Sequence, residues 1–118
     1  MLISISEAGM PKPRGTAGAT KMKIMAIICY NWECGIESYG YNIWQALKSN
    51  FHIYINDGEC RNVYHHLKDL CEMGMLEREN IQGEGSNRFL YRPTPKGLSL
   101  RERFAPYLEV VRQNNSSN

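Results

Sequence analysis

No stretch of the chain approaches the ~18 consecutive apolar residues of a membrane-crossing helix, so no membrane partner is expected. Its first residues lack the basic, apolar and small-residue succession of a secretory leader. The expectation is an intracellular, cytoplasmic protein. No Gly-rich phosphate loop follows a strand-like run, no Gly-x-Ser-x-Gly occurs, and no paired carboxylates fall where a pocket would hold them. An enzyme is therefore not expected, and no cofactor is implied. Zinc-module spacing is absent as well: Cys29-x4-Cys34 and His65-His66 do not supply it, and there is no Cys-x2-Cys. Without a leader, the four cysteines (Cys29, Cys34, Cys60 and Cys71) read as reduced thiols. Cys34, in a loop, is the one candidate redox thiol.

A strong charge of one sign is missing too. The net charge is +2, but its distribution is uneven. Residues 57–85 carry three Lys/Arg and seven Asp/Glu, whereas residues 86–118 carry six and two. A polyanion would meet its positive field mostly in the C-terminal third, and the acidic middle opposes such a partner.

What the chain does contain is one domain's worth of periodic segments within 118 residues. Residues 1–19 hold Pro11, Pro13 and several glycines without sustained periodicity, and read as a flexible arm. Thr20 is placed to cap a first helix over 21–31, whose Met22, Met25, Ala26, Ile28 and Cys29 follow the i, i+3, i+4 rule. After a loop over 32–37, Ser38 is placed as the N-cap of a second helix over 39–50, with Ile43, Trp44 and Leu47 on one face. Phe51 to Ile55 alternates apolar and polar residues and suits a short strand or an extended connection.

The third helix, from about Asp57 to Glu72, has the clearest start. Asn56 and Glu59 fit a capping box, and Asp57 is an alternative cap. Cys60, Val63, Leu67, Leu70 and Cys71 form its apolar stripe, and Gly74 is placed to end it. Residues 75–81 and 88–92 then read as strands around the turn-rich Gln82-Gly83-Glu84-Gly85-Ser86-Asn87, a β-hairpin. A last helix over 96–113 presents Leu100, Phe104, Leu108 and Val111, with Pro106 kinking or restarting it. Residues 114–118 read as a disordered tail. The fold class is mainly α with a small β-hairpin (α+β), in the order α-α-β-α-β-β-α. This is the order of a winged helix-turn-helix, spanning 20–113.

Three runs carry a family resemblance. Tyr39-Gly40-Tyr41-Asn42-Ile43-Trp44-Gln45-Ala46-Leu47 resembles the Gly-Tyr-x-Ile/Leu opening of the second helix in PadR-type transcriptional regulators. The run from Val63 to Leu76 is similar to their Val/Leu-Tyr-x-x-Leu-x-x-Leu-x-x-x-Gly-Leu recognition helix and exit. Arg88 to Gly97 resembles their Tyr-x-Leu-Thr-x-x-Gly exit from the wing. Arg61-Asn62 stands where the family usually carries a small Gly-Ser/Thr pair. The resemblance implies transcriptional regulation and a homodimer through C-terminal helices, for which only the last helix is available here.

A helix fits the major groove of duplex DNA with its N-terminal half against base edges, and the groove-facing residues must avoid the apolar stripe. Those positions are Arg61, Asn62, His65 and His66, flanked by Lys68 and Glu59. Arginine suits the two acceptors of guanine and asparagine the edge of adenine. The same four residues equally suit the solvated side of an amphipathic helix. Tyr64 has two readings, donation to a phosphate or packing under the first helix. Tyr39, Tyr41 and Lys48 are backbone-contact candidates on the second helix, and Asn87 and Arg88 are candidates at the wing tip, where Glu84 would repel phosphate. The expected partner is double-stranded DNA. The competing function is a winged-helix protein-interaction module, favoured by the acidic middle. A small-molecule effector enclosed near Trp32 and Trp44 by a dimer competes with ordinary aromatic core packing.

Overall fold

The computed structural model describes residues 12–83 and 86–116. The first helix, α1 (Lys12–Glu33), begins earlier than its periodicity indicates. Pro13 falls in its first turn, where a missing N–H costs no helical bond. Residues 12–19, expected as arm, are thus helical, while residues 1–11 lie outside the described residues. Thr20 is consequently a buried residue inside the helix and not its cap. Every side chain from Ile24 to Cys29 is buried, so α1 is enclosed on all sides and not only along one stripe.

The chain then forms β1 (Ser38–Tyr39) and α2 (Gly40–Phe51). Ser38 is not the N-cap; it lies in β1, where its hydroxyl accepts a hydrogen bond from Asn31 Nδ2 at 2.9 Å. The N-cap is Tyr39, whose backbone N–H donates to Asn42 Oδ1 at 2.8 Å. Ile43, Trp44 and Leu47 are buried, as their spacing predicts.

The strand expected at 51–55 is absent. Phe51 closes α2, and His52 and Tyr54 adopt positive φ angles of 58° and 56°. These αL turns break any extended run. His52 ends α2 by donating its backbone N–H to the Lys48 carbonyl at 3.1 Å. The segment is held inward because Trp44 Nε1 donates to the Tyr54 carbonyl at 2.9 Å.

A 3-10 turn at Asp57–Glu59 leads into α3 (Cys60–Glu72). Half of the expected capping box is present, with the Asn56 N–H donating to Glu59 Oε1 at 3.4 Å. The other end is a full Schellman motif: Gly74 has φ of 80°, its N–H donates to Cys71 O, and Met75 N–H donates to Leu70 O. Val63, Leu67 and Leu70 face the core.

The hairpin strands β2 (Leu76–Gly83) and β3 (Ser86–Pro93) pair antiparallel from Leu76↔Pro93 to Gly83↔Ser86. β1 adds to the other edge of β3 through Ser38↔Tyr91 and Tyr39↔Leu90, giving a sheet ordered β1-β3-β2. The expected last helix is split into α4 (Pro95–Ser99), a 3-10 turn at Arg101–Arg103 and α5 (Ala105–Ser116). Pro106 sits in the first turn of α5, so it restarts the helix. Residues 114–116, expected as tail, continue α5.

Two junctions fix α4 and α5 to the rest. Thr94 caps α4 by accepting from Gly97 N–H at 3.0 Å, and its hydroxyl donates to the Gly74 carbonyl at 2.6 Å. Gly97 packs directly on the Met75 carbonyl, where no Cβ would fit. Arg101 and Arg112 both bind the Glu33 carboxylate, the latter at 2.8 Å, which ties α5 to the end of α1. The result is a mainly helical α+β fold with a small three-stranded antiparallel sheet, the expected class with its first strand relocated.

Candidate nucleic-acid interface

Helical geometry decides what α3 can present. With Val63, Leu67 and Leu70 turned inward, Arg61, Asn62, His65 and Lys68 are exposed on the opposite side. Arg61 and His65 are one turn apart, and neither makes a side-chain hydrogen bond or ion pair among the described residues. Lys68 lies 4.0 Å from Glu72 in an exposed i,i+4 pair.

His66 departs from the expectation of a groove-facing residue. Its imidazole stacks on Tyr54, and Nε2 shares a hydrogen bond with the Tyr54 hydroxyl at 2.9 Å. Nδ1 is buried without a partner. Burial, reinforced by Lys21 and His65 and opposed by Asp69, pushes the His66 pKa below its ordinary value. The reason lies in spacing: position 66 is i+3 from Val63 and i−4 from Leu70, at the edge of the apolar stripe.

The Tyr64 side chain is half exposed. Its ring covers Gly40 at the start of α2, and a Cβ at position 40 would collide with it. Burial by these neighbours raises its phenol pKa. Gly40 is therefore the seat on which α3 meets α2. The sequence displays this glycine between Tyr39 and Tyr41 but gives no sign of what covers it.

The α2 candidates form two clusters. Tyr41 packs edge-on to Trp44, and the Lys48 ammonium lies 3.9 Å above the Trp44 ring. Tyr39 donates its hydroxyl to Glu37 at 2.6 Å, which raises its pKa, and the Arg88 guanidinium sits 4.7 Å over its ring. Arg88 thereby reaches from the hairpin to the start of α2. Asn87 pairs with Gln82 in the hairpin register, but its side chain and Glu84 lie outside the described residues. Phe89 and Tyr91, which the sequence does not single out, join Tyr39, Tyr41, Tyr64 and Arg88 around a groove of about 320 Å³.

The acidic middle of the chain is largely engaged internally. Asp69 pairs with Lys21 of α1 at 3.4 Å, and Glu77 and Glu79 both bind Arg92 at 3.4 and 3.1 Å. Adding Glu72, four of the five acids of residues 57–85 whose side chains are described have a cationic partner.

The remaining motifs fall elsewhere. Trp44 is a core residue, whereas Trp32 is 51% exposed beside a hollow of about 280 Å³ lined also by Ile36, Glu37, Tyr91 and Arg92. Trp44 does not line that hollow. All four cysteines are free; burial raises the Cys29 thiol to about 11, and Cys34 is exposed. Among the described residues, no group of three or more His, Cys, Asp or Glu side chains is arranged to hold a metal, and no helix is long and apolar enough to cross a membrane.

No protein-family model and no curated protein matches this sequence. Among solved structures, the chain is similar in fold to the crystal structure of the putative transcriptional regulator TA0346 from Thermoplasma acidophilum. The TM-score is 0.63 at 17% identity, over 87% of this chain and 90% of the other. At that identity the likeness establishes a shared fold.

Proposed function

We propose that the protein is a sequence-specific transcriptional regulator of winged helix-turn-helix, PadR-like type that binds double-stranded DNA. α3 is the reading helix and the β2–β3 hairpin the wing. The observation that carries this reading is the outer face of α3, where Arg61, Asn62 and His65 are exposed and, among the described residues, unengaged, next to a hairpin whose Arg88 projects to the α2 terminus. The fold shared with a regulator supports it. Arg61 and Asn62 supply base selectivity, Lys68 flanks them, and Tyr39, Tyr41, Tyr64, Lys48, Asn87 and Arg88 supply backbone contacts. His66 serves the interface indirectly, by fixing α3 against the Tyr54 turn.

A homodimer through α5 would set two reading helices about one DNA turn apart, on a pseudo-palindromic site. The internal pairing of Asp69, Glu72, Glu77 and Glu79 weakens the case for a protein-interaction module built on the acidic middle.

Selection of bound duplexes from a random library, with oligomeric state measured alongside, tests the proposal. Arg61→Ala should weaken the selected site by ~1–3 kcal/mol and relax its sequence preference. No affinity for any duplex at low salt would sink the DNA reading in favour of the interaction module.

A further inference from the structure

We infer that the aromatic groove between the N-terminal ends of α2 and α3 and the hairpin binds an unpaired nucleobase of a single strand. Six side chains form it: Tyr39, Tyr41, Tyr64, Arg88, Phe89 and Tyr91. Its volume of about 320 Å³ lies at the small end of pockets that take small planar ligands. Rings that merely complete a core are covered by it, yet Tyr41 is 62% and Tyr64 46% exposed. Gly40 also lines it, and its lack of a side chain lets the Tyr64 ring lie directly on the start of α2.

The charges select the ligand class. Among the described residues no acidic side chain lines the groove; nearby Glu37 accepts a hydrogen bond from the Tyr39 hydroxyl, and Glu79 is paired with Arg92. The Arg88 guanidinium, stacked on Tyr39 at the rim, faces where the phosphate of a seated nucleotide would lie. Aromatic faces beside a cation are the recognition chemistry of single strands, because every base has a π-face and every nucleotide a phosphate. A duplex keeps its bases stacked inside and offers this groove only its backbone. The inference therefore goes beyond the duplex reading, which uses the hydroxyls of Tyr39 and Tyr41 and the charge of Arg88 but not the ring faces.

The test uses the full chain with fluorescent short oligothymidylate, short oligouridylate and a mixed-sequence duplex, by anisotropy at two salt concentrations. Wild type should bind the single strands, and whichever is tighter identifies DNA or RNA as the source of the base. Tyr41→Ala and Arg88→Ala should each weaken that binding by about tenfold or more. Tyr41→Phe should retain it, because it keeps the ring and removes only the hydroxyl. Arg61→Ala, on the α3 face outside the groove, should leave it unchanged. The inference is overturned if neither single strand binds at low salt, if both alanine variants bind as wild type while folded by circular dichroism, or if Tyr41→Phe loses as much as Tyr41→Ala. Loss of duplex binding alone in Arg61→Ala bears on the reading helix and leaves this groove standing.

Discussion

A methyl group added at Gly97 would press on the Met75 carbonyl, which is backbone and cannot swing aside. The same addition at Gly40 would meet the half-exposed Tyr64 ring, which can. Gly97→Ala is therefore expected to destabilise by about 2–3 kcal/mol in urea unfolding. Gly40→Ala should stay within ~1 kcal/mol of wild type, because helix propensity offsets the displaced ring. Its effect should appear instead in nucleic-acid affinity, by moving Tyr64. His66 sets a pH dependence. Its folded pKa lies below the ordinary 6.5, so the unfolded chain takes up the proton first as pH falls. Its contribution is complete above 6.5, declines as pH falls below that value, and is fully lost once pH passes the folded pKa. Unfolding curves collected stepwise from pH 7.5 to 5 should show this slope, and His66→Gln should flatten it.

Among the elements, α3 and the hairpin were the most legible in the sequence. Their signals are local: a stripe at helical spacing, a glycine that must adopt φ of 80°, and two strands long enough to alternate. The first strand was illegible because two residues, Ser38 and Tyr39, cannot display a period, and its partner β3 lies some fifty residues away. Phe51 to Ile55 displayed a period but folds by tertiary demand, with the Trp44 indole holding the Tyr54 carbonyl. The candidate site was legible as residue types on α3, not as the Gly40–Tyr64 contact or the aromatic groove, which join three separate segments. The attachment of α5 to α1 is likewise non-local. Arg112, by hydrogen bonding, and Arg101 hold the Glu33 carboxyl below its usual range. That contribution is present above the ordinary carboxylate pKa and is lost as pH falls through the depressed one. Since the pair is partly exposed, Glu33→Gln should cost only about 0.5–1 kcal/mol at neutral pH, measured by chemical denaturation.

At the scale of the molecule, the net charge of +2 hides an arrangement in which Glu33, Asp69, Glu72, Glu77 and Glu79 are held in ion pairs while Arg61 and Arg88 remain outward. Duplex affinity should accordingly fall with salt, and Lys48→Ala, removing the phosphate contact proposed for it, should reduce the slope of log K against log salt by about one. Titrations across a salt series measure this directly. The Thr94 hydroxyl, bound to the end of α3 at Gly74 and to the start of α4 at Gly97, has a mechanical consequence. The exit of α3 cannot fray while α4 stays folded. Amide protons of Met75, Thr94 and Gly97 should therefore exchange with solvent together, at one opening free energy, and Thr94→Val should uncouple them into separate events. A force or partner acting on the C-terminal helices would then be felt at the pitch of α3 without passing through the core.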